Sequence, residues 1–528
     1  MSKPLFGLIA FAALLAQPSS TVVQVPCAMG GPACGEALQA AIDEAAPGTT
    51  IALDPGKVYE GRFVIGPRAG ASAARRLTIT TRGWTDKGAA WNGLVTPADK
   101  PRMAVLRASN RSHAGIEIPN GPGAGYVSLF GLAFEANPPS GQGEIILIGS
   151  GDETSPENLA RDISIRQVLI QGDRRYGQKR GIAANGRDID IRQVWCEEVF
   201  IAGQDAQCVA GWNGAQRVRV RHAYLAAGAE NLMIGGAPLP SAAMQPSDWL
   251  IEDVILHKPL RWQQDGANRQ VKNLLEFKQG RNITARRILA VNNWKAGQDG
   301  TGLLIHYTTT GRCPECAGLE NVLVEDLAML NVGGGVSLQG YSYSSASRND
   351  RKLRGVTLRN AYIQSTGSGR TITIGNVSGR HDIRIERSTF VNERSGWLNG
   401  SYGRVWTDPE TLTRGGPMAG LWIVDNVITD NGRYGITAPE GQHFGSGIGE
   451  FVREDLQISG NVFGDAPPAH LDHYNRHAGR GGENVSVSSD RLRAAVTNPV
   501  CTEWARGKGA DCARLAPVFA LLQRLPEP

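Results

Sequence analysis

The chain has 528 residues, a formal net charge of +5, 66 glycines and an aromatic share of 6%. The charge is small and no lysine-rich tract occurs, which argues against a nucleic-acid partner. After the first 20 residues no apolar stretch approaches the ~18 residues of a membrane helix, so no membrane span is expected. A chain of this length is either two or three globular domains or one elongated repeat protein, in which each repeat packs only on its neighbours.

Lys3, an apolar run from Leu5 to Leu15, and Ala16 before Gln17-Pro18 form the pattern of a secretory signal peptide, expected as residues 1–16. A retained N-terminal anchor is the competing reading. The chain is therefore expected to be secreted or periplasmic. Eight cysteines fall in four close pairs: Cys27 with Cys34, Cys196 with Cys208, Cys313 with Cys316, and Cys501 with Cys512. An exported chain with paired cysteines predicts disulfides between these neighbours. Cys313-Pro-Glu-Cys316 also fits a redox motif or half a zinc site, but no second CxxC accompanies it.

Leu38, Ala41, Ile42 and Ala45 share one helical face, and Pro47-Gly48 ends that helix. A strand, Thr50–Leu53, and a turn at Asp54-Pro55-Gly56 follow. A short helix in this place would cap the open end of a solenoid.

A repeat then takes over. ARDISIRQVLI (160–170), GRDIDIRQVWC (186–196), AQRVRVRHAYL (215–225), PSDWLIEDVIL (246–256) and GRNITARRILA (280–290) share one theme. Its first apolar position falls at Ile163, Ile189, Val218, Trp249, Ile283, Val322, Val356, Ile383, Leu421 and Leu456, with Val127 an earlier copy and Val485 a later one. Spacings from 26 to 39 residues exclude helical repeats of fixed length. Alternation within each copy predicts strands. The expected fold is all-β: a single-stranded right-handed parallel β-helix with an N-terminal capping helix and a short C-terminal helical tail. Its parts are the β-helix with its cap over 27–495 and a capping tail over 496–528, where Leu515, Phe519 and Leu522 suit a helix face.

The entry helix, the LxxAIDxAxPG-like start and the repeated DIxIxxVxI theme resemble the pectate-lyase-like β-helix superfamily over about residues 35–490. The resemblance implies the fold. It does not select an activity, because that superfamily holds lyases, hydrolases, esterases and adhesins.

A second strand follows the first in each coil: GEIILIG (143–149), ENLMIGG (230–236), KNLLEFKQ (272–279), TGLLIHY (301–307), GGVSLQG (334–340) and RTITIGN (370–376). Alternation predicts two outward columns. One reads Leu147, Met233, Glu276, Leu304, Ser337, Thr373. The other reads Gly149, Gly235, Lys278, His306, Gln339, Gly375. Lys278, His306 and Gln339 make a polar strip suited to an extended polymer. Glu276 and Lys278 also read as an ordinary surface ion pair, and His306 as a surface histidine.

LLEFKQGRNITARRILAVN is similar to the strand of chondroitinase-B-like and alginate lyases that ends in a basic lysine. The resemblance implies Lys278 as catalytic lysine, with His306 near the place of that family's arginine. It also implies calcium, Ca2+, partly matched by Glu276. Asn273 and Asp299 complete the candidate oxygen set, since hard cations take oxygen ligands. The chemistry would be β-elimination on a uronate polysaccharide, with Lys278 as base and His306 moving the second proton. Flanking loops supply Arg261, Trp262, Arg269, Tyr341, Tyr343 and Arg348 as candidate sugar contacts, although long surface loops carry such residues anyway.

His470, His473 and His477 would share a helix face and could bind zinc, but Pro467-Pro468 and Gly479 favour a corner loop. The leading expectation is a secreted, monomeric polysaccharide lyase. A hydrolase using Asp265, Glu276 and Asp299 and a non-catalytic glycan-binding solenoid are the alternatives.

Overall fold

The computed structural model describes residues 21–526 except 111–113, 137–141, 308–312, 314–315, 317, 342–351, 368–369, 393–395, 407–411, 431–434, 440–446 and 497–507. The expected signal peptide, Tyr343, Arg348 and Cys501 lie outside the described residues.

The chain winds into a parallel β-helix. A 23-stranded sheet carries two strands of each coil, and an 11-stranded ladder carries the third. Apart from one antiparallel pair, Arg404–Trp406 with Leu412–Arg414, the named strands pair in parallel. Val127, Ile163, Ile189 and Val218 stand in register on successive coils, as do Trp249, Ile283, Val322, Val356, Ile383, Leu421 and Leu456. All but Leu456 are buried, and they form one continuous core. Val485 departs from the expected file. It pairs with Val462 on the second strand and is 47% exposed.

The polar residues of the repeat have a backbone role. Asp162, Asp188, Asp248 and Asn282, each preceding the first apolar position, are left-handed at φ +57°, +57°, +58° and +56°. Five residues later Gln167, Gln193, Asp253 and Arg287 are left-handed again. Asp and Asn tolerate this conformation because the short polar side chain bonds locally. The pair of bends turns the chain between flat strands, which is why an Asp or Asn recurs there.

The entry helix spans Pro32–Glu44 and buries Leu38 and Ile42. Gly35 meets the backbone of Glu60 so closely that a Cβ there would lie 1.9 Å from its carbonyl oxygen. Bridges join Cys27 to Cys34, Cys196 to Cys208, and Cys313 to Cys316. Cys512 is also disulfide-bonded.

The tail takes a different place from the expected end cap. Its helix, Cys512–Phe519, packs on the flank against the long strands Gly280–Asn293 and Leu319–Val332. The cause is an outward apolar row, in which Leu169, Trp195, Tyr224, Ile255, Leu289, Ala328 and Tyr362 stack in register. Water is excluded from that row by the tail and by residues around Leu94 and Val95. Phe519 meets Tyr362 edge-on at 5.4 Å.

Candidate active site

The 11-stranded ladder presents the candidate site. Strands Glu230–Ile234, Leu275–Phe277, Thr301–His306, Gly334–Gln339 and Ile372–Gly375 follow one another on it. Register sets Met233, Glu276, Leu304, Ser337 and Thr373 in one column, and His306, Gln339 and Gly375 in the next. The expected first column omitted two coils, because Ala183 and Ala210 stand between Leu147 and Met233. Their strands, QKRGIAA and QCVAG, are rich in small residues and lack the bulky alternation.

Glu276 is 2% exposed and sits between two cations or potential cations. Its Oε1 is 2.8 Å from His306 Nε2 and 3.4 Å from Lys278 Nζ. The side chains of Lys278 and His306 are 17% and 19% exposed, so both keep some contact with solvent. Gly236, at φ +95°, makes room for the lysine stem: a Cβ there would lie 2.6 Å from Lys278 Cδ.

Two members of the site were not singled out from the sequence. Glu230 is fully buried, and its Oε2 accepts from Gln207 Nε2 at 2.7 Å. Its carboxyl is within hydrogen-bonding reach of Glu276. Glu230 Oε1 and Glu276 Oε2 are buried and have no donor among the described residues. Burial raises the Glu230 pKa, and the negative charge of Glu276 raises it further. Burial pushes Glu276 the same way, but the His306 hydrogen bond and the Lys278 charge outweigh it and hold Glu276 well below the carboxylate range. Glu276 is the ionised member, and a proton held on Glu230 would satisfy both orphan oxygens.

The second unforeseen residue is Lys258, which has no solvent exposure. Its Nζ donates to the carbonyls of Ala227, Gly228 and Ala229 at 3.0, 2.7 and 2.9 Å. These bonds use all three ammonium donors and fix the turn that leads into Glu230. Burial lowers its pKa, opposed by the nearby Glu230.

For Lys278, burial would lower the pKa, but Glu276, Glu230 and Asp205 outweigh it and the shift is upward. In this arrangement Lys278 is an ammonium ion. Glu276, being ionised, can only accept, so His306 Nε2 carries the proton in their bond. In the neutral imidazole the lone pair then lies on Nδ1.

Beside this cluster a groove of about 620 Å³ runs over the next coils. Trp294, Lys295, Asp299, Asn331, Gln339 and Arg370 are among its lining. Gln339 Oε1 accepts from Asn376 at 3.1 Å and its Nε2 donates to Ser337 at 2.8 Å, which fixes the amide at the groove floor.

Several expected contacts are placed elsewhere. Trp262 and Arg269 are only 4% and 7% exposed, so neither ring nor guanidinium is presented to a sugar. Arg269 lies between the rings of Phe200 and Trp262, at 4.3 and 4.7 Å, and bridges Glu198 to Asp265. Glu198 also binds Arg174 and Arg261. A buried carboxylate draws in guanidinium partners, and here that need locks the loop onto the solenoid. Tyr341 donates to the Ser378 carbonyl at 3.3 Å and meets His381 edge-on.

The candidate calcium set is divided. Asn273 is buried and its Oδ1 has no donor, like Glu276 Oε2. The Asp299 side chain is 87% exposed, with Lys295 3.9 Å away. Among the described residues no group of three or more His, Cys, Asp or Glu is placed to hold a metal. The orphan oxygens of Glu276, Glu230, Asn273 and Gln207 are hard donors in kind, but all four residues are buried. His470 and His473 lie on a helix, Pro468–Asn475, with His477 just beyond it, instead of on a corner loop. The proline pair starts that helix, since proline fits its first turn.

No family model matches the chain, and no curated protein matches it in sequence. Solved structures do. The catalytic domain of a single-substitution variant of a GH87 α-1,3-glucanase in complex with nigerose matches with TM-score 0.50 and 12% identity, over 84% of this chain and 70% of that one. The PL6 family alginate lyase AlyGC matches with TM-score 0.48 and 15% identity, over 88% of this chain. The match spans 54% of the length of AlyGC, about half. A mannuronic acid specific polysaccharide family 6 lyase from human gut microbiota matches with TM-score 0.46 and 13% identity, over 96% of this chain and all of that one. At these identities the likeness is one of fold, the parallel β-helix. Among the described residues no helix is long and apolar enough to cross a membrane.

Proposed function

We propose that this chain is an exported polysaccharide lyase that cleaves a uronate-containing polysaccharide by β-elimination. The observation that carries the reading is buried Glu276, within 2.8 Å of His306 and 3.4 Å of Lys278, beside a polar groove. β-Elimination removes the proton on C5 of a uronate, forms the C4–C5 double bond, breaks the C4–O bond and protonates the leaving oxygen. One base and one acid in fixed places are therefore needed.

The charges favour a division of labour opposite to the one the lysine motif implies. His306 Nδ1 takes the C5 proton, with Glu276 holding the ring and stabilising the imidazolium that forms. Lys278, kept as an ammonium ion by its carboxylate neighbours, supplies the proton to the leaving oxygen. Arg370 and Lys295 give the groove cationic character toward substrate carboxylates.

The hydrolase reading has less support, because Asp265 is taken up by Arg269 and Asp299 stands exposed in the groove wall. Incubation with a panel of uronate polysaccharides tests the proposal. A lyase yields chains ending in an unsaturated sugar, seen as new ultraviolet absorbance. New reducing ends without that absorbance would mean hydrolysis, and retention without cleavage would mean binding alone.

A further inference from the structure

Another ladder of the solenoid carries a row of charged side chains. One outward column there carries Arg166, Arg192, Arg221, Glu252, Arg286, Glu325, Arg359 and Glu386 on successive coils. From Glu252 onward the signs alternate, and the column neutralises itself: Arg286 meets Glu252 at 3.1 Å and Arg359 meets Glu325 at 2.7 Å. Before Glu252 three arginines stand in a row. Like charges in register on neighbouring strands repel, so this run costs stability that the rest of the column avoids.

The three arginines line a cavity of about 420 Å³. Its opposite wall is the segment from Asp86 to Ala90, held to the solenoid by Gln193, whose Nε2 donates to the carbonyls of Gly88 and Ala90 at 2.8 Å each. Two carboxylates share the three guanidinium groups. Asp86 binds Arg166, and Asp190 lies 3.3 Å from Arg192 Nε and 2.6 Å from an Arg221 nitrogen. Arg221 Nε is buried and has no acceptor among the described residues. His222 closes the end, edge-on to Trp91 at 5.7 Å and 3.6 Å from Asp253, which Arg287 already engages. The arginine side chains are 24–41% exposed, within reach of a ligand.

We infer that this trough is a second binding site for an acidic polysaccharide, gripping carboxylates of successive sugars with Arg166, Arg192 and Arg221. A periodic ligand fits a periodic row: neighbouring coils repeat the guanidinium at the strand spacing of about 4.8 Å, along the axis in which an extended chain would lie. Arginine forks onto carboxylates with paired hydrogen bonds. The substrate class rests on the proposed function, but the site does not depend on the cleavage residues. Its role is to hold polymer on the enzyme away from the groove.

Affinity electrophoresis of the full chain in native gels containing alginate or polygalacturonate tests this, with dextran and duplex DNA as comparison additives. All proteins carry Lys278→Ala, so that cleavage does not enter. The parent should be retarded by at least one polyuronate and not by dextran. R192Q with R221Q should weaken that retardation roughly tenfold or more, the scale of losing two charge-assisted hydrogen bonds. R453Q with R480Q, an equal charge change at exposed positions, should leave it intact. Melting temperatures check that each variant is folded. With Lys278 restored, R192Q/R221Q should raise KM on polymer and leave turnover of short oligosaccharides unchanged. Unchanged retardation of R192Q/R221Q, equal loss in the R453Q/R480Q control, or retardation by DNA and not by polyuronate would each overturn the inference. Failure of cleavage with arginine-dependent retardation preserved would instead count against the lyase reading alone.

Discussion

His306 Nε2 stands 2.8 Å from Glu276 Oε1 across two neighbouring coils of the solenoid. One partner is buried and the other reaches solvent, so the pair joins the interior to the surface. The bond orients the imidazole and fixes which nitrogen is left for chemistry. His306→Ala should reduce turnover on the cleaved polysaccharide by about 10²- to 10⁴-fold, the usual range for a general base. His306→Gln should not rescue it, because an amide cannot take the proton. Turnover and melting temperature measured together check this, and a fall in both alike would mark a structural role.

Glu230 and Glu276 provide the metal test. If a hard cation is held by their orphan oxygens, adding calcium to chelator-treated protein should raise the melting temperature, by mass action worth about 2.7 kcal/mol at a hundredfold excess over Kd. Glu230→Gln should blunt that rise. If calcium shifts neither stability nor activity, a shared proton on Glu230 suffices. Glu230→Gln should then be close to neutral for stability, since an amide can donate to Glu276 as the protonated acid does.

The buried histidines set an acid limit on stability. His257 is brought down to about 4 by burial and then by the charges of Arg261 and Lys258. His381 is brought down to about 4 by burial, and its Nε2 accepts from the Ser378 amide at 3.2 Å while Nδ1 faces the Leu353 carbonyl at 2.8 Å. Unfolding returns each ring to an ordinary pKa of about 6.5. The unfolded chain then binds more protons between pH 6.5 and 4, so stability must fall as pH drops through that window. Each ring contributes on the order of 1–3 kcal/mol. Denaturant titrations at pH 7 and pH 4.5 would show it, and His381→Gln should flatten the slope.

The core file gives a fold test. Ile283 is 1% exposed and pairs with Trp249 and Val322. Ile283→Asp should destabilise by about 3 kcal/mol or more, because a carboxylate would be buried without a partner. Ile283→Val should cost only about 0.5–1.5 kcal/mol. Thermal unfolding separates the two.

The coil repeat was legible because its signal is periodic. Inward residues such as Ile163, Ile189 and Ile283 recur on one strand face, and Asp162 or Asn282 marks the bend before them. The placing of Glu276, Lys278 and His306 on neighbouring coils was legible by the same alternation. Glu230 and Lys258 were not, because their importance comes from burial and from contacts across coils that no local pattern records. Trp262 and Arg269 misled for the reverse reason. Their residue types suit sugar binding, but the buried Glu198 draws the loop inward and takes them out of reach. The strands around Ala183 and Ala210 carry too little apolar bulk to be recognised, although the first strands of the same coils, at Ile163 and Ile189, are plain in the repeat.

The proposed β-elimination depends on the Glu276–His306–Lys278 cluster. Its most direct test is the ultraviolet absorbance of unsaturated product as wild type and Lys278→Ala act on a uronate polysaccharide. Absorbance should grow steadily with wild type, at a rate at least ~10²-fold lower for Lys278→Ala at an unchanged melting temperature. Equal rates for the two proteins, or cleavage by wild type without new absorbance, would contradict it.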